Sequence, residues 1–251
     1  MNFSGQVALV TGAASGMGLL FSQAFADLGG RAVLVDRDEE AARARAAEIA
    51  EKHPKCAIAV GCDVRSYDGV VAARDKAVAA FGKIDILVNF AGGAETRICH
   101  ASGEFPDIPI EVYDFGIDVN LKGQFYFDHA VMKQMRAQKS GVIVNIGSIT
   151  GEEGSAWNVA YATSKSGVMN GLTKSLALYG SKYGVRCVCV SPGPVLTRPG
   201  MASMKTALGR AAEPDEIVNM ILYAASEECA FLDGVNILMD GGRSIMRNKD
   251  Y

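Results

Sequence analysis

The chain predicts one α/β domain: a doubly wound sheet of seven mainly parallel strands with helices on both faces. Three observations carry that prediction. Seven short apolar runs alternate with helical patterns along the 251 residues. The runs are continuous in Val, Ile, Leu and Ala, as strands buried on both faces require. No linker, repeat or low-complexity segment breaks the series, so residues 1–251 read as a single unit.

Composition narrows the function classes. Hydrophobic residues make up 49%, enough for a core on both sides of a sheet, and the net charge is only -3. Such a balance offers no electrostatic pull toward nucleic acid or an anionic membrane. No apolar run reaches the roughly 18 residues that span a bilayer. Met1-Asn-Phe-Ser-Gly-Gln-Val has no basic region followed by a long apolar core, so no secretion signal is expected. The cysteines are Cys56, Cys62, Cys99, Cys187, Cys189 and Cys229, with no C-x-x-C pair. Cys187 and Cys189 share one face of a strand and read as small buried hydrophobes. His53, His100 and His129 show no ligand spacing, so no metal site is expected. Free thiols and the missing signal point to the cytoplasm.

The elements follow in order. Residues 6–11 form the first strand, then Thr11-Gly12-Ala-Ala-Ser15-Gly16-Met17-Gly18 leads into an apolar helix, Leu19 to Leu28. Strand, glycine turn and helix together make a phosphate-binding context. The missing side chains admit a pyrophosphate, and the helix N-terminus offers N–H groups and a positive dipole end. Arg31 to Asp36 is the second strand. Asp36 stands 18 residues after Gly18, where a carboxylate accepts from ribose hydroxyls and repels a 2′-phosphate. That favours NAD, although the neighbouring Arg37 is of a type that accommodates the phosphate.

Asp38 caps a helix with Glu39 and Glu40 in its first turn. Cys56 to Cys62 is the third strand and ends at Asp63-Val64; Ser66 caps the next helix. Ile84 to Val88 is the fourth strand, running into Asn89-Phe90-Ala91-Gly92-Gly93. Residues 94–110 read as a loop at the site's mouth. A helical pattern from Glu111 to Lys139, broken near Gly116, carries Asn120. Val142 to Ser148 is the fifth strand. After a glycine-containing loop, a helix from Ala156 to Tyr179 carries Tyr161 and Lys165. Val185 to Val190 is the sixth strand and runs into Ser191-Pro192-Gly193-Pro194. Residues 195–210 read as a substrate lid, Pro214 opens a helix, Gly234 to Asp240 is the seventh strand, and 243–251 is a polar tail.

Tyr161 and Lys165 lie one turn apart on one helix face. A phenol must drop by about 3 pKa units, or about 4 kcal/mol, to serve as a base near neutrality. A cation about 4 Å away at an effective dielectric near 20 supplies about that much.

The full set of marks resembles the short-chain dehydrogenase/reductase family, from about Val7 to Gly242. The marks are Thr11-Gly12-x3-Gly16-x-Gly18, Asp63, Asn89-x-Ala91-Gly92, Asn120, Ser148, Tyr161-x3-Lys165, Ser191-Pro192-Gly193 and Asp240-Gly241-Gly242. Phe90 departs from it, standing where the family usually has a second Asn. The resemblance implies a Rossmann-type fold, a nicotinamide cofactor and an assembly of two or four copies. It implies Tyr161 as general acid/base and Lys165 as the group that lowers its pKa and binds the nicotinamide ribose. Ser148 would hold the substrate oxygen, and Asn120 would kink its helix and place a water in a proton relay. Gly12, Ser15, Gly16, Met17, Gly18, Asp36 and Arg37 would hold the dinucleotide's ribose and phosphates. Asp63 and Val64 would hold adenine, and Asn89, Ala91 and Gly92 would line the cofactor. Pro192, Gly193, Val195 and Thr197 would embrace its nicotinamide end.

The substrate expected is a small secondary alcohol or its ketone. Thr150, Glu152, Glu153, Trp157 and Asn158 are candidates to face it, with Ala94, Glu95 and His100 on the other wall. Carboxylates and an indole suit a polyol or sugar. Met201, Met204 and Leu208 equally suit a steroid. A 3-oxoacyl thioester reductase and a non-catalytic dinucleotide sensor are the alternative readings.

Overall fold

The computed structural model describes residues 1–247. The strands are β1 (Val7–Thr11), β2 (Arg31–Asp36), β3 (Ala57–Gly61), β4 (Ile86–Asn89), β5 (Gly141–Ile146), β6 (Val185–Pro192) and β7 (Asn236–Met239). They form one sheet in the order β3-β2-β1-β4-β5-β6-β7. Every pairing is parallel.

Each strand sends alternate residues to opposite faces, and both faces are covered. Ala8, Val10, Leu34, Val88 and Val144 pack against Phe21 and Phe25 of α1 (Gly16–Asp27), and against Ile217 and Ile221 of a later helix, Pro214–Ala225. Ala46 and Ile49 of α2 (Glu39–Lys52) join this face. Val7, Leu9, Val35, Leu87 and Ile143 pack the other way, against Val70 and Ala73 of α3 (Tyr67–Phe81) and against Phe127 and Val131. All of these strand residues are solvent-free, and burying each large one contributes about 1.5–3 kcal/mol.

The chain starts in the middle of the sheet. It moves outward through β2 and β3, then returns to place β4 on the other side of β1. Thr11 and Asn89, the last residues of β1 and β4, stand side by side. The helices that follow them pack on opposite faces of the sheet, which opens a crevice at the carboxyl edge.

The region after β4 is more ordered than a loop. It holds α4 (Glu95–Ile98) and a 3₁₀ turn at Phe105–Asp107. Next come α5 (Ile110–Ile117), a π-turn at Asp118–Lys122, and α6 (Gly123–Gln138). The break expected near Gly116 therefore falls at Asn120. The loop expected after Ser148 contains α7 (Ile149–Glu153). The helix expected from Ala156 starts later and is split: α8 (Val159–Gly167), a second π-turn at Val168–Leu172, then α9 (Thr173–Gly180). Thr173 Oγ1 donates to the Val168 carbonyl at 2.7 Å inside that second turn. Helix Pro214–Ala225 is α10. Of the expected tail, Arg243 to Ile245 fold into a 3₁₀ turn against the body; residues 248–251 lie outside the described residues. Among the described residues no helix is long and apolar enough to cross a membrane.

Candidate functional site

Two connected depressions occupy the crevice. A groove of about 520 Å³ is lined by Gly12, Ser15, Gly16, Met17, Gly18, Asp36, Arg37, Asp63, Val64 and Ala91. A cleft of about 790 Å³ is lined by Ser148, Thr150, Tyr161, Lys165, Pro192, Gly193 and Val195. Met17, Phe90, Gly92 and Thr197 line both, so the two run together.

The groove is shaped by backbone. Gly12 has φ +65°, and a Cβ there would meet Ala91 N at 2.9 Å. Gly16 has φ +55° and nothing within 4 Å of its missing Cβ, which leaves open space over the first turn of α1. The Ser15 side chain makes no capping bond at that end, and first-turn amides have no intrahelical partner. Asp36 closes the far side: Oδ2 accepts from Ala14 N at 3.0 Å and Oδ1 from Asp38 N at 3.1 Å. Its carboxylate is thus fixed at the strand end. Asp63 accepts from Nε and Nη2 of Arg65 at 2.6–3.0 Å, which keeps its carboxyl below the usual range. Open space over bare amides, with a fixed carboxylate beyond it, suits a phosphate followed by a ribose.

The cleft brings the reactive groups together. Ser148 ends the β5 segment in an extended conformation, and its hydroxyl accepts from Thr150 N at 3.1 Å. The same side chain hydrogen-bonds the Tyr161 phenol and favours its ionised form. Burial pushes the phenol the other way, and upward is the net direction; the charges of Arg198 and Arg97 partly offset it. Lys165 is buried, and burial lowers its ammonium to about 8. Its Nζ donates to the Ile146 carbonyl at 2.6 Å and lies 5.6 Å from the centre of the Tyr161 ring. The lowering of the phenol expected from Lys165 is not seen in the protein by itself: the ammonium is turned to a strand carbonyl, and burial carries Tyr161 upward.

Not every expected residue faces the crevice. Asn89 is buried under the sheet edge, where Nδ2 donates to Asp128 Oδ1 at 2.7 Å and Asn145 Oδ1 at 2.9 Å. Asn120 lines neither depression: it donates to the Gly93 and Gly116 carbonyls at 2.9 Å and accepts from Gly93 N at 2.8 Å. It braces the loop after β4 against the π-turn. Glu152 is exposed and outside the cleft, because residues on the outer side of so short a helix as α7 meet only water. Glu95 faces away from it, fully buried, and accepts from Ala160 N at 2.9 Å and Tyr161 N at 3.1 Å. It caps α8 from 65 residues away, where Asn158 makes no side-chain cap. His100 is exposed and outside the cleft. Ala94, Glu153, Trp157 and Asn158 do line it; Trp157 sits at the rim, 68% exposed, and Asn158 Oδ1 accepts from Thr96 at 2.6 Å. Of the lid, Met201 and Met204 reach the cleft and Leu208 does not.

The chain belongs to the short-chain dehydrogenase/reductase family. Residues 6–207 match the family model described as short chain dehydrogenase. D-threitol dehydrogenase of Mycolicibacterium smegmatis is 38% identical, over 96% of this chain and 94% of that protein. The 3-alpha-(or 20-beta)-hydroxysteroid dehydrogenase of Mycobacterium tuberculosis is also 38% identical, over 95% of this chain and 89% of its own. Among solved structures, NAD+-bound xylitol dehydrogenase superposes with a TM-score of 0.86 at 29% identity, covering 96% of this chain and 100% of that one. Arg97, Arg198 and Arg243 were not among the expected residues of this family site. The first two line both depressions and the third lines the cleft. All three come from segments with no local motif, so only the fold brings them there.

Proposed function

We propose that this protein is an NAD-dependent oxidoreductase that moves a hydride between a small secondary alcohol and its ketone, with Tyr161 as general acid/base. The observation that carries the reading is the meeting of Ser148, Tyr161 and Lys165 in one cleft continuous with the groove. The open first turn of α1 and the fixed Asp36 fit a dinucleotide. Gly12, Ser15, Gly16, Met17 and Gly18 would hold its pyrophosphate, Asp36 its adenosine ribose, Asp63 and Val64 its adenine. Ala91 and Gly92 would line its path, and Pro192, Gly193, Val195 and Thr197 its nicotinamide end. When bound, NAD supplies the hydride acceptor.

Ser148 donates to the substrate oxygen and keeps it beside the phenol. In the oxidising direction, Tyr161 takes the hydroxyl proton at its phenolic oxygen. Ser148 and the resulting phenol then hydrogen-bond the carbonyl oxygen, where negative charge develops as the reaction reverses. Lys165, next to the phenol and near 8 in its own pKa, keeps a positive charge at neutral pH and stabilises the phenolate once charge forms there. Asn120 acts by holding the Gly93 loop. Asp36 supports NAD over the phosphorylated form, since a 2′-phosphate would meet a carboxylate already fixed in place. The chain also works as a homodimer or homotetramer on this reading, supported by the exposed Phe125 on α6 and Leu178 on α9. The test is initial-rate reduction of NAD and of NADP by the purified protein across a panel of polyols, steroids and simple secondary alcohols. The reading expects turnover with NAD at least about tenfold above NADP; no turnover with either contradicts it.

A further inference from the structure

Arg97 and Arg198 line the cleft at its junction with the dinucleotide groove. Arg97 lies on α4, and its Nη2 stands 2.6 Å from the position a Cβ on Gly93 would take. Gly93 itself lines the cleft, so this guanidinium lies against the loop after β4. Arg198 is extended at the start of the 3₁₀ turn Pro199–Met201, in the expected lid. Both side chains are exposed, and among the described residues neither guanidinium has a hydrogen bond or an ion pair. By contrast Arg65 is engaged with Asp63, and Arg243 with Glu153. Glu153 is the one carboxylate among the described residues that line the cleft, so no acid there is left to pair with Arg97 or Arg198. The charge of each bears on the Tyr161 phenol, which lines the cleft and not the groove. Both guanidiniums therefore stand at the reacting end. The chain as a whole carries a net charge of -3, so two unpaired cations at one cleft do not reflect a basic surface in general.

We propose that Arg97 and Arg198 set substrate specificity by holding an anionic oxygen group of the substrate, a carboxylate or a phosphate ester, remote from the reacting carbon. This rests on the alcohol dehydrogenase reading above and names the substrate class within it: secondary alcohols that carry an acid group. A guanidinium only donates hydrogen bonds, and its planar fork matches two oxygens of one anion. Such charge-assisted bonds are roughly twice as strong as neutral ones. Neither arginine has to leave an internal partner to make them. A neutral substrate gains nothing from the two charges, and a cationic one is repelled. Two cations at the mouth of a cleft also raise the local concentration of an anion. The phosphates of the dinucleotide fit these arginines less well, because the open first turn of α1 already offers them amides. Met201 and Met204 on the lid side supply the apolar wall along which the carbon chain lies.

The test compares the unaltered chain with Arg97→Gln, Arg198→Gln and the double variant. Both side chains are exposed and unpaired, so all three variants are expected to fold. Two quantities are read. The first is kcat/KM with NAD for a secondary hydroxy carboxylate, for its primary amide, and for the alcohol with a phosphate ester in the same place. The second is calorimetric binding of the same compounds and of NAD. The amide keeps the shape of the carboxylate and lacks its charge. The unaltered chain is expected to prefer an anion over the amide by about tenfold or more. That ratio is expected to fall by about tenfold in the double variant, through the KM of the anion, and by less in each single one. The order of the two anions tells carboxylate from phosphate. Removing the charges also acts on Tyr161, but alike for every substrate, so the ratio reports the contact with the anion. A ratio unchanged in the double variant overturns the proposal, as does an unaltered chain that prefers neither anion. So does a loss confined to NAD binding, which would assign the arginines to the dinucleotide's phosphates. Absence of turnover on every alcohol would instead defeat the dehydrogenase reading; calorimetry then still decides, because an anion bound no tighter than the amide overturns the proposal by itself.

Discussion

At the scale of single residues, two buried ionisable groups set the pH behaviour. Lys165 is held near 8 by desolvation, below its unfolded value of about 10.4. The unfolded chain therefore binds more protons between those values, and stability rises with pH across that window. The gap corresponds to about 3 kcal/mol. Urea unfolding from pH 7 to 10.5 is expected to show the rise, and Lys165→Met to flatten it. Asp128 is the opposite case. Burial raises it to about 7 despite the Asn145 and Asn89 bonds, so its contribution is full below about pH 4 and is lost as pH climbs toward 7. Asp128→Asn is expected to remove that slope, for a gain of about 4 kcal/mol at pH 8 at most; an unchanged slope would show that the carboxyl ionises freely.

At the scale of elements, α8 presents the reactive pair, and its orientation depends on a residue outside it. Glu95 holds the Ala160 and Tyr161 amides, so it sets the first turn from which the phenol projects. Glu95→Ala leaves those amides without their acceptor and is expected to cost about 2–3 kcal/mol, with a lower kcat; thermal unfolding and kinetics check both. Sequence reasoning missed this because the cap is not local. Capping signals are read within a few residues of the helix start, and Glu95 stands 65 residues before Ala160. The second π-turn was hidden for a related reason. It adds one residue to a helical pattern without changing its apolar periodicity enough to be seen, and Thr173, which follows it, looks like an ordinary polar position; the first lies at Asn120, where the resemblance implied a kink. By contrast the strands were legible nearly to the residue, as in Arg31–Asp36, because continuous Val, Ile and Leu runs have few other uses in a chain of this size.

The whole molecule joins the halves of the site. The glycine turn follows β1, Asp36 ends β2, Ser148 follows β5 and Pro192 ends β6. A parallel sheet puts all of these ends on one edge, so their convergence was readable from the strand pattern. The placement of Arg97, Arg198 and Arg243 was not, since it depends on how loops fold over that edge. Ligand binding to so distributed a site should stabilise the entire fold. NAD at about 100 times its Kd adds about 2.7 kcal/mol, a rise of several degrees in Tm; NADP at the same concentration is expected to give a much smaller rise. Equal rises would remove Asp36 as the selecting group.

The central claim is that the Tyr161 hydroxyl moves the proton while the crevice holds the dinucleotide. Tyr161→Phe deletes one oxygen from a half-buried side chain and leaves the groove untouched. Measured side by side, NAD binding is predicted to stay within about threefold of the unaltered chain while kcat falls by about 10²–10⁴-fold. Turnover retained above a few per cent, in a variant that still binds NAD, would contradict the account.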